Sequence, residues 1–160
     1  MNKALVFLIL AAVLMAVPYA GAENKPKKAD TAKFLIRNVY AKKADKEKIP
    51  DELKDIAAAL RSATTNNVFT LNNSVSIDAT IGKKASTDLG AQKLSLEFEG
   101  SKCVDSTLTG NLNILQKKDD KTTSLLKADI EIKVGATLCV SLGNFDGQEL
   151  IVAITLKEMK

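Results

Sequence analysis

One helix constrains the fold of this chain more than any other stretch, because almost everything after it has the pattern of β-strands. The stretch Ile49–Ser62 reads IPDELKDIAAALRS, and Pro50 suits the first position of a helix. Its apolar side chains recur at the spacing of a single helical stripe, at Ile49, Leu53, Ile56, Ala57 and Leu60. Such a stripe must cover another apolar surface, and a β-sheet is the surface that this chain offers.

Most of the chain after residue 67 alternates apolar and polar side chains, as strands with one buried and one solvated face do. The clearest case is a predicted hairpin of Ser106–Leu115 and Leu125–Val134. Two other stretches, Phe34–Ala41 and Glu149–Leu156, are apolar on both faces. Strands of that kind are usually central. We therefore expect the first and last strands to be neighbours within one sheet, with the helix stripe on their outer side.

Together these patterns predict a mainly β, α+β domain: an antiparallel β-sandwich-like arrangement of seven or eight strands with one packed helix. Two places are less defined. Asn72-Asn73 interrupts a period-two run and is either a tight turn or a bulge in one long strand. The stretch Gly82–Gly90 is expected to be a loop.

The first 22 residues have the pattern of a secretory signal peptide. Lys3 precedes the apolar run Ala4–Val17, and Ala20-Gly21-Ala22 is a small-x-small cleavage site. A retained membrane anchor is the rival interpretation, but the run is shorter than the roughly 20 residues that span a bilayer. Residues 23–33 are polar and Lys-rich, which predicts a disordered leader or a basic arm for anionic lipid. Residues 34–160 then form a single β-rich domain.

The two cysteines, Cys103 and Cys139, are the only ones in the chain. An exported protein with one pair of cysteines is expected to form a disulfide bond. That bond would close a loop of about 36 residues, for which chain entropy gives roughly 3–4 kcal/mol. Two separate buried thiols are the alternative.

Much common catalytic chemistry is missing from this sequence. It contains no histidine, which removes histidine-based triads and zinc sites, and no phosphate-binding glycine motif. Ser124-Leu125-Leu126-Lys127 matches S-x-x-K, but the partner motifs are absent and alternation along a strand predicts that Ser124 and Lys127 face opposite ways. We predict no catalytic, cofactor-binding or metal-binding residues. The weaker alternatives are calcium ligation by Asn144, Asp146 and Glu149, and hydrolysis by Glu97 and Glu99.

The order of elements resembles that of small, uncharacterised exported bacterial proteins with one helix on a β-rich, sandwich-like domain. The matching features are a signal peptide, a strand, an I-P-x-x-L-x-x-I-x-x-x-L helix and a last strand such as ELIVAITL. In this chain the helix positions of that pattern are Ile49, Pro50, Leu53, Ile56 and Leu60. The resemblance implies a fold type and an exported location, and it implies no activity.

The expected function follows from this combination of export and missing chemistry. We expect an exported, non-enzymatic binding or assembly module of the bacterial cell envelope, periplasmic or secreted, with an envelope protein as its partner. The alternative is a carrier that holds a small apolar ligand between helix and sheet. The net charge of +4 is mild, so nucleic acid is not an expected partner. No stable membrane span is expected after cleavage.

Overall fold

The computed structural model describes residues 29–90, 92–119 and 121–160. The predicted signal peptide, residues 1–22, and residues 23–28 of the predicted leader lie outside the described residues. The first strand begins at Thr31 rather than at the expected Phe34. The additional residues are held from both sides, since Thr31 pairs with Thr80 and its backbone N–H donates to the Lys160 carbonyl at 2.9 Å.

In this described part of the chain, eight strands form two four-stranded antiparallel sheets, which confirms the predicted sandwich-like α+β fold. The first sheet has the order β2-β1-β8-β7, and the second has the order β3-β4-β5-β6. The strands are β1 (Thr31–Lys42), β2 (Val68–Thr80), β3 (Lys84–Asp88), β4 (Leu94–Val104), β5 (Thr107–Lys118), β6 (Lys121–Lys133), β7 (Thr137–Phe145) and β8 (Gln148–Met159).

The first and last strands are neighbours in the middle of the first sheet, as their two apolar faces predict. Ile36 of β1 lies opposite Ile154 of β8. The inner face of this pair packs in the core between the sheets, whereas the outer face carries the buried side chains Val39, Ile151 and Ala153. Burial on both faces explains why these two segments lack the polar alternation of the other strands.

The helix stripe covers that outer face. A 3₁₀ turn over Asp51–Ile56 leads into the α-helix α1, Ala57–Ala63. Pro50 lies just before the first turn rather than inside it, and its carbonyl accepts a 3.0 Å hydrogen bond from the Leu53 N–H. That bond spans three residues, which is the 3₁₀ pattern. Leu53, Ile56 and Leu60 are buried against the outer face of the first sheet.

The core between the two sheets is tightly filled. Phe34 of β1 and Phe98 of β4 meet edge to face, with ring centroids 4.9 Å apart. The gap bounded by these rings and their aliphatic neighbours is too small to hold a water molecule. Phe98 fits because β5 carries a glycine beside it: a Cβ on Gly110 would lie 2.6 Å from the Glu99 carbonyl oxygen and 2.7 Å from the Phe98 ring.

The structure also decides the two less defined places. Asn72 is an extra residue within one long strand, because Asn38 pairs with Asn73 while Val39 pairs with Leu71. Asn72-Asn73 is therefore a bulge. The expected loop Gly82–Gly90 contains the five-residue strand β3 instead, which pairs with β4. Its polar sequence KASTD lacks an apolar face, so period-two analysis does not detect it.

Candidate interaction site at the edge of the second sheet

The predicted disulfide bond is wrong, and both cysteines are free thiols. Cys103 lies on β4 and packs against the core between the sheets, where its Sγ is 3.3 Å from the Met159 Sδ. Cys139 lies on β7 and packs beneath the helix, on the opposite face of the first sheet. The layer of the first sheet thus separates the two sulfurs. Burial raises the pKa of the Cys139 thiol to about 11.

The region between helix and sheet, where a carrier would hold its ligand, is occupied by the protein's own side chains. Leu53 and Leu60 are fully buried there, and Ile56 is 3% exposed. They form one cluster with Val39 and Ile151 of the sheet. Arg37 fixes the helix further by donating two hydrogen bonds of 2.8 Å to the Asp55 carboxylate. This packing offers no support for the carrier alternative.

Glu97 and Glu99 line one open depression on the outer face of the second sheet. Glu97 accepts hydrogen bonds from Lys84 Nζ at 3.2 Å and from Asn113 Nδ2 at 3.4 Å, and Glu99 is exposed. Carboxyl pairs that act as acid and base usually place one member in an apolar environment. The surroundings here are polar and solvated, which is typical of a sheet face in water.

Ser124 and Lys127 lie on the same face of β6, contrary to the expectation from simple alternation. The reason is a bulge at Leu125: Ser124 pairs with Leu115, while Leu126 pairs with Ile114. The extra residue reverses the alternation between Ser124 and Lys127. The Ser124 hydroxyl donates to Asn113 Oδ1 at 2.6 Å, so the hydroxyl is engaged by an amide rather than by a base.

Of the three candidate calcium ligands, Asn144 lies opposite Glu149 in the β7–β8 pair, but the two carboxylates, Asp146 and Glu149, have separate hydrogen-bond partners. Asp146 and Gly147 both have positive φ, 51° and 80°, which identifies the tight turn between β7 and β8. Asp146 accepts a hydrogen bond from Gln92 Nε2. Glu149 instead accepts hydrogen bonds from Thr64, from Asn66 at 2.6 Å and from Ser141 at 2.5 Å. These bonds join the end of the helix to the sheet.

Within the described ranges, no group of three or more His, Cys, Asp or Glu side chains is placed to hold a metal ion. Across that same part of the chain, no helix has both the length and the apolar character to cross a bilayer.

The sheet edges differ in how well they are covered. Of the four edge strands, β3 has only five residues. The edge of β2 is covered at its start, where Phe69 N–H donates to the Lys48 carbonyl, and further along, where Asn73 donates to the Leu89 carbonyl. The pairing of β7 is irregular between Ser141 and Asn144. Short strands, bulges and covering loops are the usual protections of an edge.

Of these protections strand β6 has the bulge at Leu125, but it is not short, and within residues 29–90, 92–119 and 121–160 no loop covers its regular part. It has 13 residues, and its register against β5 is uninterrupted from Leu126 to Lys133. Its inner side chains Leu126, Ala128 and Ile130 are only half-buried, because β6 is the edge of the second sheet and no strand of the described residues lies beyond it. Leu125, the bulged residue, is 39% exposed. The outer side chains of the regular part are charged, in the order Lys127, Asp129, Glu131 and Lys133.

Sequence reasoning identified β6 as one arm of a hairpin but not as an exposed edge. The alternation of Leu125–Val134 shows that a strand exists, whereas its position depends on which strands join the other side of the sheet. Those pairings link distant parts of the chain and leave no local pattern. Comparison with known proteins gives no further information about this edge, since no protein-family model matches the chain and no curated protein matches it either.

Proposed function

We propose that this protein is an exported, non-enzymatic binding or assembly module of the bacterial cell envelope, and that it binds its partner by strand addition along β6. The observation that carries the proposal is the regular edge of Leu126–Lys133, which no described residue range covers and which has a half-buried apolar inner face. A strand added there would form main-chain hydrogen bonds and cover these apolar side chains, which is an established mode of peptide and protein recognition.

Export is supported by the N-terminal sequence. The positive start, the apolar run and the Ala20-Gly21-Ala22 site favour cleavage before Glu23 and release into the periplasm or the medium. Cell fractionation and intact mass measurement test this part of the proposal. We expect a mature chain beginning at Glu23 outside the cytoplasm. A full-length chain recovered from the cytoplasm would contradict export.

Site-specific photo-crosslinking in living cells tests the binding edge. The photoreactive residue p-benzoylphenylalanine replaces Leu125, beside the regular part of β6, or Val104, which is similarly exposed at 37% but lies at the end of β4. We expect a discrete cross-linked adduct from position 125 and none of the same mass from position 104. Adducts of equal intensity from both positions, or none from position 125, would show that β6 is not the binding edge.

A further inference from the structure

We infer that the partner strand at β6 comes from a second copy of this chain, and that the two β6 strands pair antiparallel about a twofold axis at Ala128. The inference rests on the proposed binding edge and names its partner. The result would be one continuous eight-stranded sheet made of the second sheets of two molecules. A twofold interface of this kind places each residue opposite its symmetry mate across the axis, so the sequence of the edge must complement itself.

The charges on the outer face of β6, together with the end of the strand at Lys133, select this register: an axis at Ile132 would also oppose unlike charges, Glu131 and Lys133, but would leave only three residues of β6 to pair. Pairing about Ala128 places Lys127 of each copy opposite Asp129 of the other, which gives two opposite-charge pairs. Moving the axis to Ile130 would instead place Lys127 opposite Lys133 and Asp129 opposite Glu131. An axis at Lys127 or at Asp129 would bring a side chain against an identical charge. Like charges directly opposite one another destabilise a strand pair.

The inner face favours the same register. Leu126 of one copy lies opposite Ile130 of the other, and the two Ala128 side chains meet at the axis. All three positions are half-buried in the single molecule, so pairing removes further apolar surface from water. The five residues Leu126–Ile130 also avoid the bulge at Leu125, because they all lie within the uninterrupted part of β6.

The second sheet already positions one of the two charges. Asn111 of β5 donates a hydrogen bond of 3.0 Å to Asp129 Oδ1, which leaves the other carboxylate oxygen available to an ammonium group from the second copy. The interface consists of little more than one strand from each molecule, so it is smaller than a standard stable interface. We therefore expect a dissociation constant on the order of 10 µM.

Charge exchange on the mature full-length chain tests the pairing by sedimentation velocity from about 1 µM to 1 mM. The Asp129→Lys variant confronts Lys127 with a second ammonium, and the Lys127→Asp variant confronts Asp129 with a second carboxylate. We expect each single variant to raise the dissociation constant at least about ten-fold. The double variant, Lys127→Asp with Asp129→Lys, recreates both opposite-charge pairs and should dimerise as the parent does. Asp78→Lys on β2 makes the same charge change on another edge strand and should leave dimerisation unchanged.

Oxidative cross-linking measures the register directly. In the Ala128→Cys variant the two new thiols face each other across the axis, whereas in the Ile130→Cys variant each faces Leu126 of the other copy. We expect a disulfide-linked dimer from the first variant and far less from the second, with none from the parent. Single charge variants with the same dissociation constant as the parent, or a double variant that stays folded but monomeric, would overturn this register.

A parent protein that remains monomeric up to 1 mM would overturn self-pairing altogether. Photo-crosslinking at position 125 separates that result from a failure of the proposed function. An adduct with a different protein would preserve the binding edge and remove the second copy from it.

Discussion

At the scale of single residues, Cys139 shows how the alternation of side chains along a strand determines whether a cysteine can form a disulfide bond. Its neighbour Leu138 packs against the core between the sheets, so Cys139 points the other way, beneath the helix. The expected export and the single pair of cysteines favour a disulfide bond, but neither observation says how far apart the two cysteines lie in the fold. The alternation of Thr137–Leu142 places Cys139 on the face opposite Leu138, away from the core that Cys103 contacts.

The buried thiol of Cys139 should react slowly with alkylating agents. Its pKa is raised to about 11 by burial, and the thiolate is the reactive form. In the Cys103→Ser variant at pH 8, we expect iodoacetamide to modify Cys139 about 100-fold more slowly in the native protein than in urea. Intact mass measurement follows the reaction. Equal rates in the two conditions would contradict the burial, and an oxidised parent protein lacking two hydrogens would contradict the free thiols.

At the scale of elements, the sequence predicted the helix, its buried stripe, the main hairpin and the central pair of strands. These features depend on side-chain periodicity, which is local. The bulges at Asn72 and Leu125 were not assignable, because a bulge is defined by its partner strand as well as by its own residues. Strand β3 was missed for a related reason, since its short polar sequence forms a strand only beside β4.

The contact between helix and sheet can be broken by one substitution. Leu53 is fully buried on the central strands, so Leu53→Asp would place an unpaired carboxylate among aliphatic side chains. We expect a loss of about 3–5 kcal/mol in the free energy of unfolding, measured with urea. Ala58→Asp introduces the same group on the exposed side of the helix and should cost at most about 1 kcal/mol. Equal urea midpoints for the two variants would exclude this packing.

At the scale of the whole molecule, ion pairs and hydrogen bonds set the response to pH. Hydrogen bonds from the Arg37 guanidinium hold the pKa of Asp55 below its usual range. For Glu149, burial opposes ionisation, but hydrogen bonds from Ser141, Thr64 and Asn66 outweigh it and lower the pKa. A carboxyl with a lowered pKa in the folded state binds protons more readily when unfolded. Its stabilisation is therefore present above about pH 4 to 5 and is lost as the pH falls through the folded pKa.

We consequently expect stability to be nearly constant from about pH 5 to 8, where the chain has no histidine to titrate, and to fall below about pH 4. The Asp55→Asn variant removes the charged partner of Arg37, whose side chain is only 10% exposed. It should lose about 1–2 kcal/mol at pH 7 and show a shallower decline in acid. Urea midpoints across pH measure both effects, with Asp78→Asn as an exposed control. Parallel curves for Asp55→Asn and the parent would contradict the assigned role.

The pairing of β1 with β8 also determines when this protein can fold. The first sheet acquires its centre only when β8 is present, because Ile36 of β1 pairs with Ile154 of β8. A contact between such distant residues makes loop closure expensive in entropy and folding comparatively slow. Until β8 has been synthesised, β1 has no partner on one side and the helix has no complete surface to cover. The first sheet of such a chain can therefore be completed only late, after the residues of β8 have been made.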